Sequence, residues 1–429
     1  MADTSAKTPD AKKKVRNGRL MAGISTNVLV LGIVSLLTDM SSEMIYPIMP
    51  LFLSAIGATG LVIGLIEGAS ETTASLLKVV SGWYSDKFDK RKPFIIGGYG
   101  LSSLVKPLFI WAQTPAQVLG IRISERVGKG IRSAPRDALI ADSTSTEVRG
   151  KAYGFHKALD STGAVLGPII TLIIILLVVT TEMKTFRLIF TIAVIPALAG
   201  VAVILLLVRE KERSRKPRSE RTFLHGLGIL GRPFWLLMAV VVTFYIGEIS
   251  YAFFILRAED VGANMFAGVV PTGVDPELVQ AIVLYIIFNI VFVLVAIPAG
   301  NLSDRLGRKP VIMTSFVIFL AACAAMAYAG HLVFLAIGFI LFGAYKGASE
   351  GVFKAYVTDV APADLKATAL GAFHTAVGLA MLPGGIIAGY LWDTVGHGST
   401  FVFGAATSLA SMVMLLFFGV GKLGWFRQS

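Results

Sequence analysis

The chain has 429 residues, of which 55% are hydrophobic and 15% charged, and its net charge is +12. Soluble proteins carry about a quarter of their residues as charged side chains, so the composition excludes an ordinary water-soluble domain. The single cysteine, Cys323, excludes a disulfide within the chain. The polar, basic N-terminus lacks the apolar core that a removable signal peptide needs.

Twelve apolar stretches follow one another, and each approaches the roughly 20 residues that a membrane-spanning helix needs. We therefore expect an all-α integral membrane protein with twelve transmembrane helices. An N-terminal bundle, 26–208, and a C-terminal bundle, 232–420, would be joined by a linker, 209–231, and flanked by tails, 1–25 and 421–429. The predicted spans are 26–53, 60–84, 93–113, 115–140, 150–179, 187–208, 232–257, 277–300, 310–329, 331–358, 366–391 and 399–420.

Basic residues crowd alternate segments between the spans, while the short loops 54–59 and 113–116 contain no Lys or Arg. Since cytoplasmic loops are enriched in these residues, we expect both termini and the linker in the cytoplasm. The membrane would be a bacterial-type cytoplasmic (inner) membrane or one derived from it. The same distribution disfavours nucleic-acid binding, because the charge is divided among separate loops. The basic segments are 1–25, 87–92, 209–231, 305–309 and 421–429.

An internal repeat divides the chain into related halves. The segment 82–93, GWYSDKFDKRKP, is repeated at 300–310 as GNLSDRLGRKP, and each copy leaves one apolar span and enters the next. Duplicated transmembrane bundles place a substrate path between their halves. Further matching pairs are Lys129 with Lys346 and Asp142 with Asp359.

These loops resemble the motif G-x-L-x-D-R-x-G-R-K of the major facilitator superfamily, which lies between helices 2 and 3 and between helices 8 and 9. The segment 300–309 matches it closely, while 82–92 departs from it at Tyr84 and Asp89. The resemblance implies two six-helix bundles, related by a pseudo-two-fold axis, that alternate between outward-open and inward-open states. We expect a functional monomer without a cofactor. The residues expected to act in gating are Gly82, Asp86, Arg91, Gly300, Asp304 and Arg308.

Two further patterns concern coupling and direction. The fourth span contains Arg126-Val127-Gly128-Lys129-Gly130, which resembles the family motif R-x-x-Q-G, whose arginine is associated with proton coupling. In the fifth span Gly154, Gly163, Gly167 and Pro168 match part of a pattern associated with antiporters, although Thr171 and Leu172 replace its last glycines. This partial match favours export over import, and Gly163, Gly167 and Pro168 are also expected to act in gating. Close helix packing is the alternative explanation for the glycines.

Ionisable residues within the spans indicate a substrate and proton pathway, because such groups are costly in a bilayer and face the bundle interior. Asp39 and Glu43 lie four residues apart on one face of the first span and would carry the proton, while Tyr46, Pro47 and Pro50 predict a bend after them. The alternative is a set of structural ion pairs, which we expect for Arg136, Asp137, Asp142 and Lys157. The expected pathway residues are Asp39, Glu43, Glu67, Glu71, Lys106, Arg126, Lys129, Glu248, Lys346 and Glu350.

The excess of cations on the fourth span predicts a small solute that is anionic or bears a carboxylate. We therefore expect a proton-coupled exporter whose partners are this solute, protons and the lipid bilayer. One alternative is an iron or iron-chelate (siderophore) permease. The carboxylates of Asp39, Glu43, Glu67 and Glu71 could together offer oxygen ligands to a bare metal ion, but no metal site is assigned. Another alternative is a non-transporting receptor or assembly protein. An enzyme is disfavoured, because no metalloprotease, nucleophile-elbow or nucleotide-binding motif occurs.

Overall fold

The computed structural model describes residues 25–88, 90–145, 148–209, 223–262, 266, 268–362 and 365–417. The described residues form twelve long helices in the predicted order, and a short helix, Phe223–Ile229, lies within the predicted linker. Both predicted tails apart from residue 25, and most of the linker, lie outside the described residues, as does Asp89. The long helices are α1 Thr26–Ala55, α2 Gly60–Lys87, α3 Lys92–Trp111, α4 Pro115–Asp142, α5 Arg149–Leu177, α6 Glu182–Leu207, α7 Arg232–Asp260, α8 Pro276–Leu306, α9 Arg308–Ala327, α10 Leu332–Val360, α11 Lys366–Thr394 and α12 His397–Phe417.

Several helices extend beyond their apolar stretches. The largest differences are at α6, which begins at Glu182 instead of 187, and at α8, which continues to Leu306 instead of 300. A helix can continue into the polar interface after its apolar stretch ends, so hydropathy underestimates its length. Ten of the described helices are long and apolar enough to cross a membrane by length and composition; α2 and α4 are equally long but more polar.

The helices form two six-helix bundles whose packing repeats. In the first bundle α1 packs on α5 and α6, while α4 packs on α2 and α3 and α3 also packs on α6. In the second bundle α7 packs on α11 and α12, while α10 packs on α8 and α9 and α9 also packs on α12. The two bundles meet along α2–α11 and α5–α8, which the repeat relates to each other. The packing therefore has the pseudo-two-fold relation expected from the sequence.

Glycines bring α2 and α11 together along most of their length. A Cβ added at Gly68 would lie 2.8 Å from the carbonyl oxygen of Met381, and one at Gly389 would lie 2.6 Å from the Cα of Leu61. Gly64 and Gly385 face each other's backbone in the same way. Small residues allow helix backbones to approach closely, so this glycine seam, defined by Gly64, Gly68, Gly385 and Gly389, holds the two bundles in direct backbone contact.

Two repeat-related helices, α1 and α7, are interrupted in the middle. In α1 a 3₁₀ turn at Tyr46–Ile48 replaces regular α-helix at the place where a bend was predicted, because Pro47 lacks the N–H of a continuous helix. In α7 the first segment ends at Ile246 and the second begins at Tyr251. Both interruptions lie at the centre of the molecule, where the bundles meet.

The ends of the helices form two opposite faces of the molecule, the motif face and the far face. The motif face carries the ends of α2 and α8 at Lys87 and Leu306, and the far face carries their beginnings at Gly60 and Pro276.

Candidate substrate site and gates

A cavity of about 360 Å³ lies between the two bundles. This volume is at the lower end of the range of about 300–1,000 Å³ that is usual for small-molecule sites. Its walls come from both halves, mainly from α1, α2, α4, α5, α7, α8 and α10. Nine of the ten predicted pathway residues line it: Asp39, Glu43, Glu67, Glu71, Arg126, Lys129, Glu248, Lys346 and Glu350.

Lys106 is the predicted pathway residue that does not reach the cavity. Its ammonium group is fully buried in the first bundle and donates to the hydroxyls of Ser41 (2.8 Å) and Ser42 (3.0 Å). It also lies 3.9 Å from Glu125. These contacts with α1 and α4 hold the ammonium group behind the cavity surface.

Ion pairs between α2 and α4 form one wall of the cavity. Arg126 Nη2 lies 2.8 Å from Glu71 Oε1, and Arg122 Nη2 lies 2.9 Å from Glu67 Oε1. The two guanidinium groups also lie over the ring of Tyr46, at 5.3 and 4.9 Å from its centroid. A buried cation needs such partners, because desolvation of an unpaired charge costs several kcal/mol.

The second bundle contributes its own pairs. Lys346 on α10 forms an ion pair with Glu248, which lies in the interruption of α7, and Tyr345 donates to the same carboxylate at 2.6 Å. Glu350 pairs with Lys354 one turn further along α10, at 2.9 Å. Most of the cations that predicted an anionic solute are therefore neutralised by acids of the protein itself.

Four charged side chains of the cavity lack such neutralisation: Lys129, Arg132, Asp39 and Glu43. The ammonium group of Lys129 is exposed to the cavity and, within the described part of the chain, has no hydrogen bond or ion pair, while Arg132 is buried and donates to Ser102 at 2.7 Å. Lys129 interacts electrostatically with both Asp39 and Glu43, and Arg132 with Asp39. Neither carboxylate forms an ion pair with any described residue: Asp39 lies beside the carboxylate of Asp160, and Glu43 accepts a hydrogen bond from the hydroxyl of Tyr285 at 2.8 Å.

Contacts between the bundles close the far face. The rings of Tyr46 and Tyr251 stack with centroids 5.9 Å apart, and Tyr251 lies 5.7 Å from Tyr285. Further out, the backbone N–H groups of Gly60 and Leu61 each donate to the Asp393 carboxylate at 2.8 Å. A carboxylate at a helix N-terminus is also favoured by the helix dipole.

The cavity opens instead toward the motif face. Side-chain exposure rises in that direction, from 0% at Arg122 to 47% at Glu350 and 57% at Lys157. Lys157 was expected to form a structural ion pair. It does pair with Asp160, at 2.8 Å, but both residues line the cavity, because α5 begins at Arg149 and places them two to three turns inside the bundle.

The repeated loops form matching charge clusters on the motif face. In the first, Arg91 donates to Ser85 and Asp86 and lies 3.8 Å from Asp142. In the second, Arg308 donates to Ser303 and Asp304 and lies 3.0 Å from Asp359. Each arginine thus links its loop to the last turn of α4 or α10. The expected gating residues Asp86, Arg91, Asp304 and Arg308 are therefore brought together.

The expected gating glycines have differing surroundings. A Cβ at Gly82 would lie 3.2 Å from that of Ala134, whereas one at Gly300 would meet no described atom within 4 Å. On α5, a Cβ at Gly163 would lie 3.0 Å from the backbone nitrogen of Met40, and one at Gly167 would lie 2.7 Å from its carbonyl oxygen. Close packing of α5 on α1 therefore accounts for Gly163 and Gly167, while Pro168 lies inside the same helix.

The aromatic part of the site was not predicted from the sequence. Tyr285, Phe288 and Phe292 of α8 and Phe342 of α10 line the cavity. The three α8 residues are spaced at three and four positions, which places them on one helix face. Because every span is rich in apolar residues, this spacing did not distinguish a cavity wall from a lipid-facing surface. Asp160, the neighbour of Asp39, was not among the predicted pathway residues.

The carboxylates considered as ligands for a bare metal ion do not converge. Glu67 and Glu71 are held by arginines of α4, while Glu43 is bound to Tyr285. Among the described residues no group of three or more His, Cys, Asp or Glu side chains has a geometry that could hold a metal ion.

Two repeated helical bundles around a polar cavity define a multi-pass membrane protein of the secondary-transporter type. Comparison with known families identifies it more closely: the model of the Major Facilitator Superfamily matches residues 31–274 and 261–424. The chain belongs to this superfamily. It is therefore a membrane transporter for a small-molecule solute and not an enzyme, as the sequence predicted.

Its relatives include proteins without an assigned substrate. The chain is similar to an uncharacterized MFS-type transporter of Methanocaldococcus jannaschii, with 36% identity over 394 residues, covering 92% of this chain and 95% of the relative. An uncharacterized protein of Mycobacterium tuberculosis is 28% identical over 399 residues, covering 90% and 91%. Among solved structures, a mutant of the nucleoside transporter NupG superposes with a TM-score of 0.76 at 15% identity, covering 91% and 98%. That likeness shows the fold alone.

Proposed function

We propose that this transporter exports a small organic solute in exchange for protons, by alternating access. The observation that carries the coupling is the hydrogen bond from Tyr285 to Glu43, which joins α8 of one bundle to α1 of the other. It lies in the cavity, next to the tyrosines that close the far face. A change of charge at Glu43 therefore acts directly on a contact between the moving halves.

The chemistry of this contact gives a direction to the coupling. An ionised carboxylate accepts a stronger hydrogen bond than a protonated one. Deprotonated Glu43 therefore favours the closed far face, and proton binding weakens the contact and favours opening. Asp39, one turn away on α1, supplies a second protonatable group. Arg126, held by Glu71, contributes positive charge to the same wall.

The solute in this proposal carries an anionic group that binds Lys129. The ion pairs within the cavity leave Lys129 and Arg132 without an acidic partner among the described lining residues, and Lys129 is the exposed one of the two. The cavity volume of about 360 Å³ favours a small molecule over a bulky metal chelate. No converging ligand set among the described side chains supports a bare iron ion as the solute, and membership of a transporter family leaves the receptor alternative without support.

The motif face is cytoplasmic in this proposal, because the basic loops 87–92 and 305–309 lie there. Single cysteines at Lys90 and Gln113, introduced in a Cys323→Ser background, test it with a membrane-impermeant maleimide on intact cells. We expect labelling at Gln113 on the far face and none at Lys90 until the membrane is permeabilised. The reverse pattern would overturn the orientation.

Transport in everted membrane vesicles tests coupling and direction. The solute is first identified by comparing the metabolites retained by cells with and without the protein. Acidifying the vesicle interior should drive its uptake, and Asp39→Asn, Glu43→Gln and Arg126→Ala should each abolish this response. Asp137→Asn, which alters an ion pair outside the cavity, is the control for expression and folding. Undiminished gradient-driven uptake in all three variants would refute the coupling, and uptake only into right-side-out vesicles would refute export.

A further inference from the structure

We propose that the cavity binds a zwitterionic solute with a planar apolar group: its carboxylate on Lys129, its ammonium group on Asp39 or Glu43, and its plane on an aromatic wall. The wall is formed by Phe288, Phe292 and Phe342. This inference rests on the proposed function, which assigns an anionic group to Lys129. It adds two recognition elements that an anionic solute alone does not require.

The charge balance of the cavity carries the first element. Arg126, Lys157 and Lys346 are each paired with an acid of the protein. Lys129, Arg132, Asp39 and Glu43 then remain, two cations and two carboxylates, and Arg132 is buried against Ser102 and the ring of Tyr99. A solute with one carboxylate and one ammonium group would bind Lys129 and one acid and leave this balance of charge unchanged. A purely anionic solute would add a negative charge that no remaining cavity group balances, which is costly in a dry site.

The aromatic wall carries the second element. Phe288 and Phe342 stack with centroids 5.0 Å apart and an angle of 22° between their planes, so they present a joined surface from α8 and α10. Phe292 extends it one turn along α8, where the ammonium group of Lys157 lies 5.8 Å from its ring centroid. Aromatic faces attract both planar apolar groups and ammonium groups. The charged groups belong to the first bundle and the wall to the second, so one solute would connect both halves.

A zwitterion also fits exchange for protons better than an anion does. An anion bound at Lys129 removes positive charge from the neighbouring carboxylates and so favours proton binding, which leads to co-transport. An ammonium group on Asp39 or Glu43 competes with the proton for the same oxygens. Because linkage is reciprocal, proton binding would then expel the solute, as an exporter driven by proton entry requires.

Four matched probes separate these elements: L-phenylalanine, 3-phenylpropionate, phenethylamine and L-alanine. Compared with L-phenylalanine, 3-phenylpropionate lacks the amine, phenethylamine lacks the carboxylate, and L-alanine lacks the ring. We expect L-phenylalanine to bind the purified full-length protein about tenfold more tightly than each of the others, a difference of about 1.4 kcal/mol per element. Isothermal titration at neutral pH measures the dissociation constants, and titration in weakly buffered solution measures proton release.

Each of three variants should remove or reduce one of these differences in affinity. Lys129→Gln should make L-phenylalanine bind no better than phenethylamine, Glu43→Gln should reduce its advantage over 3-phenylpropionate, and Phe288→Leu its advantage over L-alanine. Lys366→Gln and Phe334→Leu, both at exposed positions outside the cavity, are the matched controls. Size-exclusion profiles and thermal melting confirm that each variant is folded.

The outcomes separate this inference from the proposed function. Equal affinity for L-phenylalanine and 3-phenylpropionate, unchanged affinities in Lys129→Gln, or no binding of any probe at millimolar concentration would overturn the zwitterion proposal. If 3-phenylpropionate is nevertheless exported in response to a pH gradient, the proposed function stands without the zwitterion proposal. Loss of gradient-driven transport despite the expected probe selectivity would overturn the coupling instead.

Discussion

Tyr285→Phe should shift the protein toward the conformation in which the far face is open. The substitution removes only the hydroxyl that donates to Glu43 at 2.8 Å, and it leaves the aromatic ring in place. Hydrogen bonds to charged groups contribute about 1.5–3 kcal/mol. Because this bond joins the two halves, its loss should raise the ratio of far-face-open to far-face-closed molecules about 10- to 150-fold, since each 1.4 kcal/mol is a factor of ten.

Single-molecule energy transfer between dyes on the two far-face loops measures this ratio. Cysteines at Gln113 and His331, in a Cys323→Ser background, place one dye on each bundle. Tyr345→Phe is a matched control, because Tyr345 makes a comparable bond to Glu248, at 2.6 Å, within one bundle. An equal response of both variants, or no increase of the open population in Tyr285→Phe, would refute the idea that this bond holds the far face shut.

Three further predictions test the gates. Gly64→Leu should abolish transport and lower the melting temperature, because the new side chain would meet the backbone of α11. Gly97→Leu is the control and should be tolerated, because no described atom lies close to that position. Transport assays and thermal unfolding compare the two variants. Asp393→Asn should weaken the helix cap on the far face by about 0.3–1 kcal/mol and raise the open population severalfold in the energy-transfer assay, and an unchanged population would contradict this. Arg308→Gln should increase proteolytic cleavage of the motif-face loop, and Asp359→Asn should do so less, because the arginine has two further partners; equal cleavage in both would argue against the cluster.

The sequence was sufficient for the helices, the repeat and most of the charged cavity residues. Charged residues within apolar spans stand out, since a bilayer tolerates them only where they face the interior. It was not sufficient for the pairing, because a carboxylate such as Glu71 can reach several arginines by helical spacing alone. Only the packing of α2 on α4 assigns it to Arg126 and leaves Lys129 free.

The aromatic residues illustrate a second limit. Phe288 is one apolar residue among many on α8, and only the placement of α8 between the halves turns it toward a cavity. Lys106 shows the opposite case: its charge predicted a place in the pathway, but its bonds to Ser41 and Ser42 hold it buried away from the cavity surface.

The two contacts between the bundles suggest how the chain arose. The repeat relates α2–α11 to α5–α8, so in a half-length ancestor both would have been copies of one interface in a symmetric dimer. Such a dimer could not change one contact without changing the other. In this single chain the two contacts are encoded separately, and Gly64, Gly68, Gly385 and Gly389 line the α2–α11 contact. The α2–α11 contact can therefore be selected for close packing, while the α5–α8 contact can change with the solute.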